Sequence, residues 1–304
     1  MRLATIDVGS NAVRLLISAV TSDEGKQPSI QKLNWIRVPL RLGFDVFNTG
    51  SISESKQQIL LDTMIGFEHL MRAHGVDHHM ACATSAMRDA SNGEAICNLI
   101  REKSGIRLQV ISGDMEADLI YENHIAEELD RAHDYIYLDV GGGSTEVSVY
   151  SNAVLHYKRS FNIGTIRMLT KQATDAEWDF MKQEIRRATR GCHEPICIGS
   201  GGNINKVYSI SKKKEGKTLP LEFLRTLYKE LISISIEDRM KQYSMREDRA
   251  DVIIPALQIY TSVMRWAGSE EILVPNIGLT DGLTRHLWKH VETKSESRLI
   301  SSIY

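Results

Sequence analysis

Three consecutive glycines and two hydroxyl residues, Gly141-Gly142-Gly143-Ser144-Thr145, stand between two carboxylates, Asp139 and Glu146. Glycines let a backbone approach a ligand closely and turn N–H groups into a concavity, and such a nest holds phosphate oxygens. Ser144 and Thr145 add hydroxyl donors. Bare carboxylates beside a phosphate would repel it, so a divalent cation between them resolves the conflict. Mg²⁺ suits the set, since it keeps several waters and takes one or two carboxylates plus phosphate oxygens, with Mn²⁺ as the alternative ion. The competing reading is a tight hairpin with a surface acid, for which a triple glycine is entropically costly.

The same logic recurs at the N-terminus. Residues 6–17 read Ile-Asp-Val-Gly-Ser-Asn-Ala-Val-Arg-Leu-Leu-Ile, and residues 138–149 read Leu-Asp-Val-Gly-Gly-Gly-Ser-Thr-Glu-Val-Ser-Val. Aligned on Asp7 and Asp139, both show an apolar residue, Asp-Val-Gly, then small or polar residues and a second β-prone run. Ser10 and Asn11 occupy the turn, and Arg14 takes the place of Glu146. Arg14 reads equally well as a phosphate contact or as an exposed strand residue. Two phosphate-gripping turns facing each other across a cleft are expected.

Other candidates lie at strand ends. Arg88, in Ala83-Thr84-Ser85-Ala86-Met87-Arg88-Asp89, offers a planar fork to phosphate oxygens or an ion pair to Asp89. In Ile111-Ser112-Gly113-Asp114-Met115-Glu116, the acids Asp114 and Glu116, with Asp118 beyond, compete for a catalytic role. First-turn acids also simply complement a helix dipole. Ser200-Gly201-Gly202-Asn203 is a further glycine turn that would line a subsite.

The elements that must position these residues alternate. Each echo predicts strand, glycine turn, strand, because β-branched and apolar residues follow both turns and no helix opens there, unlike a Walker or Rossmann loop. Ser51-x-x-Glu54 predicts a capping box before a helix with Leu60, Met64, Phe67 and Met71 on one face. Further strands are expected over 80–84, 108–111, 154–161, 195–198 and 271–274. Helices are expected over 93–103, 114–129, 175–190, 221–242, 248–267 and 279–291. The alternation predicts two mixed α/β domains, 1–125 and 126–304, joined near 123–134, with the last helix, about 286–304, packing back on the first.

The 304 residues carry a net charge of −2, with 42% hydrophobic and 25% charged residues. That balance excludes a disordered or disulfide-stapled chain and gives no field that would steer nucleic acid or a membrane. No apolar run approaches the ~20 residues of a membrane span. The four cysteines, Cys82, Cys97, Cys192 and Cys197, form no CxxC pair and fit reduced thiols in the cytoplasm. The one basic run, Lys212-Lys213-Lys214, reads as a solvated loop. The amphipathic helices over 221–242 and 248–267 are long enough for a homodimer, although core packing gives the same pattern.

The ordered motifs resemble the exopolyphosphatase/guanosine pentaphosphate phosphohydrolase family, within the superfamily of sugar kinases, actin and heat-shock chaperone ATPases. The matching stretches are IDVGSNAVRLLI at 6–17, ATSAMRDASN at 83–92, VISGDMEADLIY at 110–121, YLDVGGGSTEVSVY at 137–150, CIGSGGN at 197–203, RADVIIPALQIY at 249–260 and GLTDGL at 278–283. The resemblance implies two ribonuclease-H-like (actin-like ATPase) domains with the active site between them. It implies Mg²⁺-dependent hydrolysis of the terminal phosphoanhydride of polyphosphate, with guanosine pentaphosphate as the alternative substrate. It makes Glu116 the base for the attacking water, with Arg88 beside the reacting phosphate. Asp139, Glu146 and Asp7 become metal-associated carboxylates. Ser10, Asn11, Arg88, Gly141, Gly142, Gly143, Ser144 and Thr145 become phosphate contacts. Met115 stands where the family usually has an acid, and Asn203 replaces a frequent Thr. The chain lacks the extra helical domain of longer relatives, so shorter polyphosphates are the expected preference. A kinase on the same scaffold and a non-catalytic polyphosphate or alarmone sensor are the remaining readings.

Overall fold

A computed structural model describes residues 1–21, 28–121, 133–275 and 277–301. The first half runs β1 (Arg2–Val8), β2 (Val13–Thr21), β3 (Ser29–Val38), α1 (Leu42–Thr49), α2 (Glu54–Ala73), β4 (His78–Ala83), α3 (Ser85–Asp89), α4 (Gly93–Ser104), β5 (Leu108–Val110) and α5 (Gly113–Tyr121). Its sheet has the order β3-β2-β1-β4-β5. β1, β2 and β3 form an antiparallel meander, while β4 and β5 join in parallel. β1 is buried from Leu3 to Val8, as a central strand covered on both faces requires.

The second half repeats the plan. β6 (Tyr135–Val140), β7 (Thr145–Ser151) and β8 (Val154–Phe161) form the meander, followed by α6 (Thr165–Leu169), α7 (Asp175–Ala188) and β9 (Ile196–Ser200). Then come α8 (Gly202–Ser211), β10 (Leu219–Pro220), α9 (Leu221–Ile232), α10 (Ile236–Tyr243), α11 (Glu247–Ala250), α12 (Ile253–Ala267), β11 (Glu271–Leu273) and α13 (Leu279–Ser301). The order β10-β11-β9-β6-β7-β8 places third, second, first and fourth strands as the first sheet does, with a short antiparallel strand added at the edge. The mixed α/β class and the doubled core expected from the two echoes are present.

α13 follows the second sheet in the chain yet packs on the first. Leu287 and Trp288 join Leu3 and Val20 in one buried cluster, and the Thr5 hydroxyl donates to the Thr280 carbonyl over 3.0 Å. The junction expected near 123–134 lies almost wholly outside the described residues.

Several local expectations change. The helix starting at Glu54 is N-capped by Ser53, whose hydroxyl bonds Asp45, so the Ser51 capping box does not form. A complete box forms instead at Thr174 and Glu177. The single helix expected over 221–242 divides because Ser235 caps a new start by accepting from the Asp238 amide, and buried Arg239 donates to the Leu231 and Ile234 carbonyls. The run over 248–267 divides before Pro255, which sits in the first turn of α12 where its missing N–H is harmless. β3 was not expected, because half of its residues are exposed, none is buried, and it lacks a sustained apolar alternation.

Candidate active site

Both hairpins close the same way. Val8 faces Val13 and Val140 faces Thr145 across four-residue turns, and the first turn residue donates to the fourth in each: Gly9 N to Ala12 O over 3.1 Å, Gly141 N to Ser144 O over 3.0 Å. The two turns touch. A Cβ built on Gly142 would stand 2.9 Å from the Ser10 Cβ and 3.3 Å from the Asn11 amide, so the glycine is required by close approach.

What surrounds the turns decides where their amides point. The carbonyls of Gly141 and Gly142 accept from the Thr165 and Ile166 amides at the start of α6, over 3.0 and 2.8 Å, and the Gly143 carbonyl accepts from the Arg167 guanidinium over 2.8 Å. In a trans peptide the C=O and the following N–H point oppositely. The amides of Gly142, Gly143 and Ser144 therefore face away from α6, and among the described residues they bond no other backbone group. The first turn repeats the device: Ser10 O accepts from Gly43 N over 2.8 Å and Asn11 O from Arg41 N over 3.0 Å, at the start of α1. Two sets of N–H groups are thus left for an anion.

Register sets the side chains beneath the turns. One row of the first sheet reads Asp7–Arg14–Arg37, and the matching row of the second reads Ser200–Asp139–Glu146–Ser160. Residues opposite one another in a sheet share a face. Asp7, Arg14, Arg37, Asp139 and Glu146 accordingly line one cavity of about 540 Å³ with Ser10, Asn11, Gly141, Gly142, Ser144 and Glu116. α5 delivers Glu116. Its helix starts where the Ser112 hydroxyl accepts from the Met115 amide, and Gly113 lies against Ser160, leaving no room for a side chain.

The acids are crowded and dry. Burial, then Asp139, pushes the Glu146 carboxyl up to about 7, against the Ser160 and Ser144 hydroxyls and Arg88. Burial, with Asp7 adding, pushes Asp139 up to about 6, opposed by Ser200 and Arg14. Glu116 is raised well above the usual carboxylate range by burial and then by Glu146, Asp7 and Asp139. Its Oε2 is buried without a hydrogen-bond partner. Such a set is costly unless a cation or an acid-base task answers it. Among the described residues no three His, Cys, Asp or Glu side chains converge to enclose a bare ion. Adjacent-strand Asp139 and Glu146 instead suit a hydrated ion that takes one or two carboxylates, as Mg²⁺ does.

Of the competing acids of α5, Asp114 is exposed and Asp118 is exposed and paired with Lys158; Glu116 alone lines the cavity. Met115 packs in an apolar cluster with Leu279 and Leu283, where an acid would be out of place. Three expected phosphate contacts do not line the cavity. Thr145 turns its hydroxyl to the Ile163 carbonyl over 2.5 Å, because strand alternation sends it to the face opposite Glu146. Gly143 is wedged against Ser85 and Phe47 and can offer only its amide. Arg88 donates to the Ile111 carbonyl over 2.8 Å, with Asp89 4.0 Å away, so its charge reaches Glu116 and Glu146 from behind. Lys212–Lys214 also lie off the cavity.

Sequence reasoning missed Arg37 and Arg249. Arg249 donates to Asn203 over 3.3 Å and lies against Gly202, where a Cβ would stand 2.7 Å from its guanidinium. Its pKa falls to about 10, through burial first and then repulsion from Arg37 and Arg14. Arg37 pairs with buried Asp248, and Asn11 donates to the Asp248 carbonyl over 3.1 Å. The stretch RADVIIPALQIY was the available signal for Arg249, and Arg37 had none because its strand β3 was not expected.

A sequence profile described as the Ppx/GppA phosphatase family matches residues 19–290. Exopolyphosphatase 1 of Mycobacterium tuberculosis is 34% identical over 303 residues, covering 93% of this chain and 87% of that protein. Among solved structures, an exopolyphosphatase from Cytophaga hutchinsonii superposes with a TM-score of 0.77 at 23% identity, covering 93% of this chain and 96% of the other. The Aquifex aeolicus Ppx/GppA family member superposes with a TM-score of 0.74 at 23% identity, over 95% and 98% of the two chains. At that identity the two superpositions speak for the fold.

Proposed function

This chain belongs to the Ppx/GppA phosphatase family, and from that premise we propose that its cavity hydrolyses the terminal phosphoanhydride of inorganic polyphosphate. The observation that carries the reading is the buried, unpartnered Oε2 of Glu116, set in one cavity with two amide-lined turns and the acids Asp7, Asp139 and Glu146. The relative named exopolyphosphatase 1, 34% identical over most of both chains, supports the substrate class.

The terminal phosphate enters between the turns. Amides of Gly142, Gly143 and Ser144 hold its equatorial oxygens, and the charge developing there is met by dipoles already oriented. Ser10 and Asn11 bring the first turn against the same group. Glu116 orients a water in line with the scissile bond and takes its proton at Oε2. Its burial strengthens it as a base relative to an exposed carboxylate. Asp139 and Glu146, with Asp7 through water, would hold Mg²⁺, which when bound supplies charge neutralisation on the transferring and leaving oxygens. Arg14, Arg37 and Arg249 face the departing, still polyanionic chain.

The test is phosphate release with Mg²⁺ and no acceptor, from pyrophosphate, triphosphate, long polyphosphate and guanosine pentaphosphate. Release from the inorganic chains is expected. Glu116→Gln should lower kcat by about 10²–10⁴-fold while leaving binding intact. Turnover only on addition of an acceptor would make the protein a kinase. Binding without turnover at any metal concentration would make it a sensor.

A further inference from the structure

Each turn has its carbonyls held by the start of a helix in its own half, and beside each start stands an arginine that reaches into the other half. Arg167, at the start of α6, donates from its main chain to Gly142 O over 3.1 Å and from Nε to Gly143 O over 2.8 Å. Its guanidinium lies over the Phe47 ring of α1 at 4.1 Å and bonds Asp89, at the end of α3, over 2.7 Å. Arg41 stands before α1 and donates from its main chain to Asn11 O over 3.0 Å. Its guanidinium lies over Phe44 at 4.1 Å and pairs with Asp251 beside α11. Arg41 holds φ 54°, a left-handed backbone unusual for a residue with a side chain.

Neither arginine lines the cavity, so neither is placed to touch substrate. The contacts cross instead. Arg167 of the second half ends on Asp89 of the first, and Arg41 of the first ends on Asp251 of the second. In Arg167 a guanidinium fork suits this, because its separate N–H groups serve the Gly143 carbonyl and the Asp89 carboxylate at once while its plane stacks on a ring; Arg41 holds its turn through the main-chain amide and the opposite half through its guanidinium. A lysine could satisfy the ion pair alone.

We propose that Arg41 and Arg167 are positioning residues that make the shape of each anion-binding turn depend on contact with the opposite half. With the ion pair in place, the arginine keeps the carbonyl side of the turn turned outward and the amides turned toward the anion. When the halves part, that restraint is lost on both turns together. The inference rests on the proposed function only in taking the turns as the seat of a terminal phosphate.

The test compares wild type with Arg167→Gln, Asp89→Asn, the double variant and Asp251→Asn. Steady-state polyphosphate hydrolysis is measured alongside calorimetric binding of inorganic triphosphate in the Glu116→Gln background. Loss of a charge-assisted bond of this kind weakens binding by roughly tenfold to a hundredfold. KM and Kd should rise by that factor with kcat within about threefold, the pattern of lost phosphate binding rather than of partial unfolding. The double variant should bind no more weakly than Arg167→Gln alone, since the two residues form one contact. If Arg167→Gln does not fold, Arg167→Lys keeps the ion pair, loses the Nε–carbonyl bond and should show the same rise. Unchanged triphosphate binding in Arg167→Gln and Asp251→Asn, or losses that multiply in the double variant, would overturn the proposal. Wild type that binds triphosphate with these dependences but releases no phosphate would instead sink the hydrolase reading and leave this one standing.

Discussion

The two hairpins have one backbone and two electrostatic characters. Val8–Gly9–Ser10–Asn11–Ala12–Val13 and Val140–Gly141–Gly142–Gly143–Ser144–Thr145 share turn length, closing bond and a helix start that takes their carbonyls. Beneath the first turn, Asp7 meets Arg14 in an ion pair, with Arg37 next in the row. Beneath the second, Asp139 meets Glu146, and both carboxyls are pushed up, by burial before all else. The lesson is that one duplicated scaffold supplies a cationic row and an anionic row facing each other. The first suits the body of a polyanion, and the second suits a cation at its tip.

That contrast can be broken by exchanging single residues. Glu146→Arg gives the second row the charges of the first, and should abolish metal-supported turnover. A metal's charge stabilisation is worth several kcal/mol, so the loss in kcat should be on the order of 10³-fold. A variant within tenfold of wild type in Mg²⁺ titrations would remove Glu146 from the ion's site. The reciprocal Arg14→Glu should raise KM for polyphosphate by roughly tenfold to a hundredfold, with kcat less affected, since a charge-assisted phosphate contact would be lost. An unaltered KM would return Arg14 to the role of an ordinary strand residue paired with Asp7.

A pH series sharpens the same contrast. The folded chain holds protons on Glu146 and Asp139, near 7 and 6, that an unfolded chain releases near pH 4. Between roughly pH 4 and 7 the folded state therefore binds more protons, and stability of the metal-free protein falls as pH rises through that window. Mg²⁺ requires the ionised acids, so its effect on the melting temperature should grow from pH 5 to pH 8. An equal Mg²⁺ shift at both ends would mean the ion is not held by these carboxylates. The smallest expected effect is that of Thr145→Val, which copies Val13 of the first hairpin. Losing the bond to Ile163 should cost about 1 kcal/mol in denaturant unfolding, with kcat/KM unchanged. A tenfold fall in kcat/KM would show the hydroxyl reaching substrate after all.

Legibility in the sequence followed locality. The glycine turns, the acids flanking them and the doubled strand-turn-strand core depend on neighbours along the chain, and they stood out. β3 did not, because an exposed edge strand needs no apolar alternation. The breaks at Ser235 and before Pro255 were hidden inside continuous amphipathic patterns. Among the site residues, Glu116 could not be separated from Asp114 and Asp118 by spacing, since only its burial against the second sheet distinguishes it. Arg249 comes from a distant helix and carried no chemical sign of its own.

The residues alone therefore determined the turns, their charge pattern and the doubling, because glycine conformation and strand periodicity act over a few positions. Tertiary structure decided which side chains share the cavity. It brought Ser10 against Gly142, sent Thr145 and Arg88 away from the cavity wall, and brought Arg37 and Arg249 in. Strand register and helix seating are set by contacts far apart in the chain, and a one-residue change in register would turn every one of these side chains to the other face.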